Sequence, residues 1–289
     1  MFIDSHVHTH YSHGDSEVYR IIYEAIKKNM LGVGFCEHFH YDFFSDGDLP
    51  TVAGNVVQGT KFDNFKLYYK AVTQAKVDFS DQIKINLGVE VDYVQSRDQQ
   101  IQDSLNVQPF KNDYKEKNSE RKFEFDFIMG ATHFIGDPLK YFSDYKEYGD
   151  DWLINEYFSS VESSIKSGLF DIIAHPELIK YFVKKEAREY QDRLETLVDL
   201  LSEYKVAIDL NTDYLIDPKS KKVELSRLNP GVEMLKLCKE KNIRMVLGSD
   251  AHTPIKLANN FAPAIELLKE LGIQELHYFQ NRKPITYNI

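Results

Sequence analysis

The 289-residue chain carries 45 acidic against 35 basic side chains, a formal net charge of -10 with neutral histidines, and 43% hydrophobic residues. That balance describes an ordinary globular protein rather than a disordered one, and it disfavours a nucleic-acid partner, whose phosphates are generally met by basic patches. No apolar run approaches the ~20 residues of a membrane span, and Met1-Phe2-Ile3-Asp4 lacks the basic start of a signal peptide, so no membrane association and a cytoplasmic location are expected.

Short β-branched runs alternate with longer amphipathic ones, which predicts repeated βα units and a parallel sheet. In chain order, a strand is predicted at Phe2 to Ser5, then a helix from Glu17 to Lys28 with Ser16 as its N-cap, and a strand from Gly32 to Glu37. Residues 41 to 61, with Gly47, Pro50, Gly54 and Gly59, fit no unit and read as an insertion. A helix at Asn64 to Phe79 and a strand at Ile83 to Glu90 follow, and then a second insertion, polar and charge-rich, at 106 to 122. The remaining strands are predicted at Phe125 to Thr132, Phe170 to Ala174, Val206 to Asn211 and Ile243 to Ser249. The remaining helices are predicted at Asp151 to Lys166, Ala187 to Tyr204, Val232 to Lys241 and, after Pro254, Ile255 to Leu271. Seven units result, one short of the eight-stranded barrel.

Metal-type side chains sit at or just past six of these strands: His6 and His8, Glu37 and His38, Glu90, His133, His175, and Asp250 with His252. In a barrel of parallel strands the carboxyl ends form the catalytic face, so residues distant in sequence converge there. Each position alone is more often a satisfied structural histidine than a ligand. The joint pattern favours metal, because imidazoles and carboxylates brought together are costly to desolvate without a cation. His10 and His13 read as exposed loop residues, and His40 and His277 as structural or surface ones. Asp15 lies on a loop able to curl back over the mouth, and Asp4 either orients a ligand histidine or caps the strand end. Cys36 and Cys238 are far apart and read as buried thiols. The Cys238 to Arg244 spacing of a cysteine phosphatase falls on an apolar helix face without the glycine-rich loop that chemistry needs.

Taken together, DSHVHTHYS at 4 to 12, GFCEHF at 34 to 39, LGVEVDY at 87 to 93, DFIMGATHFIG at 126 to 136, FDIIAHPELIKYF at 170 to 182 and LGSDAHTP at 247 to 254 make the chain resemble the polymerase and histidinol phosphatase (PHP) superfamily, in its histidinol-phosphate phosphatase branch. The resemblance implies an α/β fold, a distorted seven-stranded TIM-like barrel, as one domain over 1–289 with the two insertions. It implies three divalent metal ions (zinc, manganese or iron): His6, His8, Glu90 and Asp250 around the first, Glu90 bridging to a second with His133 and His175, and Asp15, His38 and His252 around a third. The implied reaction is hydrolysis of L-histidinol phosphate by water activated at the metals. Among this chain's own residues, Asp15 and His252 are candidate proton donors unless held as ligands, and Glu37 is a candidate to meet the cationic end of the substrate and Lys180 to assist the phosphate, each with a surface or ion-pair role as the alternative. Three divalent ions against three carboxylates, a hydroxide and a phosphate dianion sum to zero formal charge, so such a centre attracts a phosphomonoester.

Another phosphoesterase of the superfamily, acting on a different phosphorylated metabolite or nucleotide, is the alternative. A metal-dependent amidohydrolase fits less well, since the strand ending Gly130-Ala131-Thr132-His133 offers no lysine for the carboxylated bridge common in that class. A non-catalytic metal-binding protein is the third reading, and turnover separates it from the others.

Overall fold

Seven parallel strands alternate their side chains between two cores, and that alternation places the site. The computed structural model describes residues 1–39, 51–52, 55–56, 62–99, 101, 123–136, 139–216, 220 and 222–289. The strands are β1 (Ile3–Val7), β2 (Gly32–Phe39), β3 (Lys84–Asp92), β4 (Phe127–Ala131), β5 (Ile172–Ile173), β6 (Ala207–Asn211) and β7 (Met245–Gly248). They pair in sequence order as one parallel sheet, β1 to β7. The sheet nearly closes: past the strand ends, His8 donates its N–H to Ala251 O at 2.9 Å and Val7 bridges Ala251. All seven expected strands are present, with ends shifted by no more than two residues.

Along β4, Phe127, Met129 and Ala131 turn into the barrel, where they pack with Cys36, Ile172, Ala174, Ala207, Val246 and Phe279. The alternate residues, such as Ile128, Val89, Ile208 and Leu247, face outward into the larger core beneath the helices. The helices are α1 (Val18–Lys27), α2 (Phe62–Asp78), α3 (Asp150–Lys166), α4 (Gln191–Tyr204), α5 (Val232–Glu240) and α6 (Phe261–Glu270). Each is amphipathic; Ile21, Ile22 and Ala25 of α1 and Leu194, Leu197, Val198 and Leu201 of α4 form the buried stripes.

Several expectations are corrected. Glu17, not Ser16, precedes α1, and the Ser16 hydroxyl turns away to Asp15 Oδ1 at 2.7 Å. The helix expected from Ile255 begins as a single 3-10 turn, Pro254–Lys256, and α6 starts only at Phe261, because Ala258 and Asn260 adopt left-handed backbone at φ 55° and 59°. A C-terminal hairpin, β8 (Glu275–Gln280) and β9 (Lys283–Asn288), was not expected. It turns through two left-handed residues, Asn281 and Arg282, as tight hairpins require, and drives Phe279 into the barrel floor. Buried Asp126 anchors it there, accepting from Asn281 N at 3.1 Å, from Leu87 N at 2.7 Å and from Lys76 Nζ at 2.6 Å. The insertion at 106 to 122, His40 and most of 41 to 61 lie outside the described residues. Among those described, no helix is long and apolar enough to cross a membrane.

Candidate metal centre at the carboxyl ends of the strands

The inward parity of each strand carries its last polar residues onto the mouth. On β3, Asn86, Gly88, Glu90 and Asp92 share the inner face, and on β6 so do Ala207, Asp209 and Asn211. His133, His175 and Asp250 each lie two residues beyond their strands, and His175 and Asp250 have positive φ of 29° and 52°. Such backbone is costly for residues other than glycine and persists where the surroundings hold it.

His6 Nε2, His8 Nε2, Glu90 Oε2 and Asp250 Oδ1 meet in one cluster. His6 and His8 are 3.1 Å apart, each is 3.6 Å from Glu90, and Asp250 stands 3.5 and 3.2 Å from them. A tetrahedral ion with bonds of about 2.1 Å needs donor-to-donor edges of about 3.4 Å, so these five distances frame a cation. Glu90 divides its oxygens: Oε2 also faces His38 Nδ1 at 2.9 Å, while Oε1 faces His175 Nε2 at 3.1 Å. Ligand atoms of Glu90, His133 and His175 gather within 4.8 Å of one another, and so do those of His8, His38 and His252.

Carboxylates behind the cluster fix which nitrogen carries the proton. Asp209 Oδ2 lies 2.8 Å from His6 Nδ1 and Asp92 Oδ1 lies 2.7 Å from His133 Nδ1, an arrangement that favours a proton on Nδ1 and turns Nε2 of each ring toward the cluster, where a metal would take the place of its proton. His252 Nδ1 likewise faces the Asp250 carbonyl at 2.9 Å. Gly248 makes the first pairing possible, since a Cβ there would collide with Asp209 Oδ1 and stand 2.6 Å from His6 Cβ.

The charge states divide: those of Glu90, Asp250 and His8 suit cation binding, whereas neighbouring acidic groups, against burial, raise the pKa of His6 and His133, so a metal would displace a proton from those rings. Burial alone lifts the Glu90 carboxyl, but His38, His6 and His175 outweigh it and hold its pKa well below the ordinary range. Asp250 is held down in the same way, against burial, by His6, His8 and His252. Burial, His38 and His252 together keep His8 neutral, with its pKa well below the usual value. The Nδ1 atoms of His8 and His175 and Nε2 of His252 are buried with no hydrogen-bond partner among the described residues. Buried nitrogens without a hydrogen-bond partner at this place fit a coordinating role.

Of the nine predicted metal ligands, eight are brought together. His6, His8, His38, Glu90, His133, His175, Asp250 and His252 converge; Asp15 does not, being exposed with its carboxylate on Ser16. His13 is exposed, as expected of a loop residue, yet its ring packs against the cluster, its centroid 4.1 Å from that of His252 and 4.6 Å from that of His38. Burial, then His38 and His252, push its pKa down to about 3. Glu37 is fully buried on the outer face of β2, one residue out of phase with His38, where it accepts Thr9 N at 2.5 Å and the Ser12 hydroxyl. It clamps the turn carrying His10 and His13 and does not face the mouth. Lys180 is equally committed, donating to Leu228 O with Glu177 Oε2 at 3.6 Å. Asp4 binds Ser249 N at 2.9 Å, the Ser249 hydroxyl and Ala258 N, so it ties the β1–β7 seam rather than a histidine ring.

A family model described as PHP domain matches residues 4–213, most of the chain. The chain belongs to the PHP domain family. Among curated relatives, a probable histidinol-phosphatase of Deinococcus radiodurans is 23% identical over 287 residues, covering 97% of each chain. A histidinol-phosphatase of Bacillus subtilis is 25% identical over 271 residues, covering 86% of this chain and 92% of its own. The PHP fold is shared with the histidinol phosphate phosphatase of Lactococcus lactis, crystallised with zinc, L-histidinol and phosphate, at a TM-score of 0.73 and 20% identity over 98% of both chains. A putative histidinol phosphatase of Listeria monocytogenes gives the same TM-score over 90% of this chain and 99% of that one.

Proposed function

We propose that this PHP protein is a metal-dependent phosphomonoesterase that hydrolyses L-histidinol phosphate to L-histidinol and inorganic phosphate, as a single cytoplasmic domain. The observation carrying the reading is the cluster of His6, His8, Glu90 and Asp250 at the barrel mouth, in a chain whose nearly full-length relatives are named histidinol-phosphatases. Two free, buried cysteines suit a reducing compartment.

His6, His8, Glu90 and Asp250 would hold a first divalent ion; Glu90, His133 and His175 a second; and His38 and His252, with His13 in the place expected of Asp15, a third. Divalent ions on such donors supply Lewis acidity, making hydroxide available near neutral pH and offsetting phosphate charge. The protein's part is to keep the donors in place and in the right protonation state. Asp209 and Asp92 hold protons on the outer nitrogens of His6 and His133. The Asp250 carbonyl does the same for His252, which suits a ligand role. Glu37 fixes the turn that brings His13 over the mouth.

Purified protein reconstituted with zinc, manganese or iron is expected to release phosphate from L-histidinol phosphate faster than from nucleoside monophosphates or sugar phosphates, with bound metal measured on the same sample. Faster release from a nucleotide would replace the substrate, and no release from any phosphomonoester by metal-loaded protein would overturn the enzymatic reading.

A further inference from the structure

Asn211, the last residue of β6, is fully buried beneath the cluster with every polar atom engaged. Its Nδ2 donates to Asp209 Oδ2 at 3.1 Å and to Asp250 Oδ2 at 3.2 Å, and its Oδ1 accepts from Asp213 N at 3.1 Å. Its backbone donates to Asn229 O at 2.7 Å. Only this orientation of the amide works, since the flipped one would aim a carbonyl at two carboxylates and an amide at an N–H.

The two carboxylates it joins have different tasks. Asp209 holds the His6 ring through Nδ1; Asp250, on left-handed backbone, presents Oδ1 to His6 and His8. A neutral side chain with two donors lies between them, satisfying one oxygen of each without neutralising either. Pinning Asp250 Oδ2 leaves Oδ1 as the oxygen directed at the cage.

We propose that Asn211 is a positioning residue of the metal centre: its amide fixes Asp250 directly and His6 through Asp209, so that two of the four donors of the first site depend on one side chain. The inference rests on the reading of His6, His8, Glu90 and Asp250 as that site.

The test is cobalt(II) titration of metal-free protein, followed by visible absorption and by metal content after dialysis, comparing the wild type with Asn211→Leu, Asn211→Asp and Asn86→Leu. Asn86 is the internal control: it is equally buried on the same inner face but lies at the floor, donating Nδ2 to Phe279 O at 2.9 Å. Asn211→Leu is expected to weaken the first cobalt by about 10- to 100-fold, the scale for residues that orient ligands, and to lower kcat far more than it changes KM. Asn211→Asp, of the same shape but placing a third carboxyl between Asp209 and Asp250, is expected to alter the cobalt spectrum even where affinity is kept. Asn86→Leu is expected to lower thermal stability with affinity and spectrum unchanged. Wild-type spectra and affinity in both Asn211 variants, or an equal loss in Asn86→Leu, would overturn the role. A wild-type chain that binds no cobalt would instead sink the metal reading, and this inference with it.

Discussion

Asp92 Oδ1 lies 2.7 Å from Nδ1 of His133, a ring 41 residues further along the chain, and so repeats at β3 and β4 what Asp209 does for His6. Replacing Asp92 by Asn leaves the shape but weakens the preference for a proton on Nδ1. Metal bound by Glu90, His133 and His175 is expected to loosen by about 10- to 100-fold in Asp92→Asn, with the other ions retained. Elemental analysis across a chelator series checks this.

His8 and Glu90 face the same cage from β1 and β3. His8→Ala and Glu90→Ala are each expected to lower phosphate release by orders of magnitude. Circular dichroism should stay that of a folded barrel, because the cores beneath the mouth are untouched. Full activity in both variants, with metal content measured, would contradict the site.

Burial opposes charge on His133, but Asp92 and Glu90 outweigh it and raise its pKa to about 9 in the metal-free protein. At pH 7 the ring is therefore protonated, and a metal must displace that proton. Metal affinity is expected to rise with pH until about 9, with about one proton released from this ring on binding at pH 7. Calorimetry in buffers of different ionisation enthalpy measures it. The same raised pKa stabilises the metal-free fold fully below the unfolded value of 6.5, and that contribution is lost as pH rises through about 9.

Glu37 carries a pKa pushed up to about 7 by burial, against the bonds from Ser12 and Thr9. Removing it as Glu37→Ala orphans the Thr9 amide and the Ser12 hydroxyl, at about 1–3 kcal/mol. Lower stability is expected, with activity reduced to the same extent on every phosphomonoester. A selective rise in KM for the histidinol end would restore a substrate-facing role.

Phe279 seals the barrel floor at 4% exposure, on the face opposite the cage. Phe279→Ala is expected to cost about 3–5 kcal/mol in denaturant unfolding while leaving kcat per folded molecule unchanged.

Much of this was legible in the sequence. Strand and helix runs are set by local periodicity, so seven strands and the donors at their ends could be read before any contact was known. Period-two parity, applied further, would have placed Asp92 beside Glu90, set Asp209 and Asn211 on the inner face of β6, and turned Glu37 away from His38. The hairpin was missed because its turn, Asn281-Arg282, lacks the glycine that usually marks one.

By itself the sequence determined the order of the strands, the side chains delivered to their carboxyl ends, and the acidic surplus around them, all of which follow from local pattern and composition. Only the tertiary structure decided which nitrogen of each imidazole faces the cage, that His13 joins it while Asp15 does not, and that Lys180 is held by Leu228 and Glu177. Those outcomes depend on partners as far away as the 203 residues between His6 and Asp209, and a hydrogen bond across a closed sheet leaves no local trace in the chain.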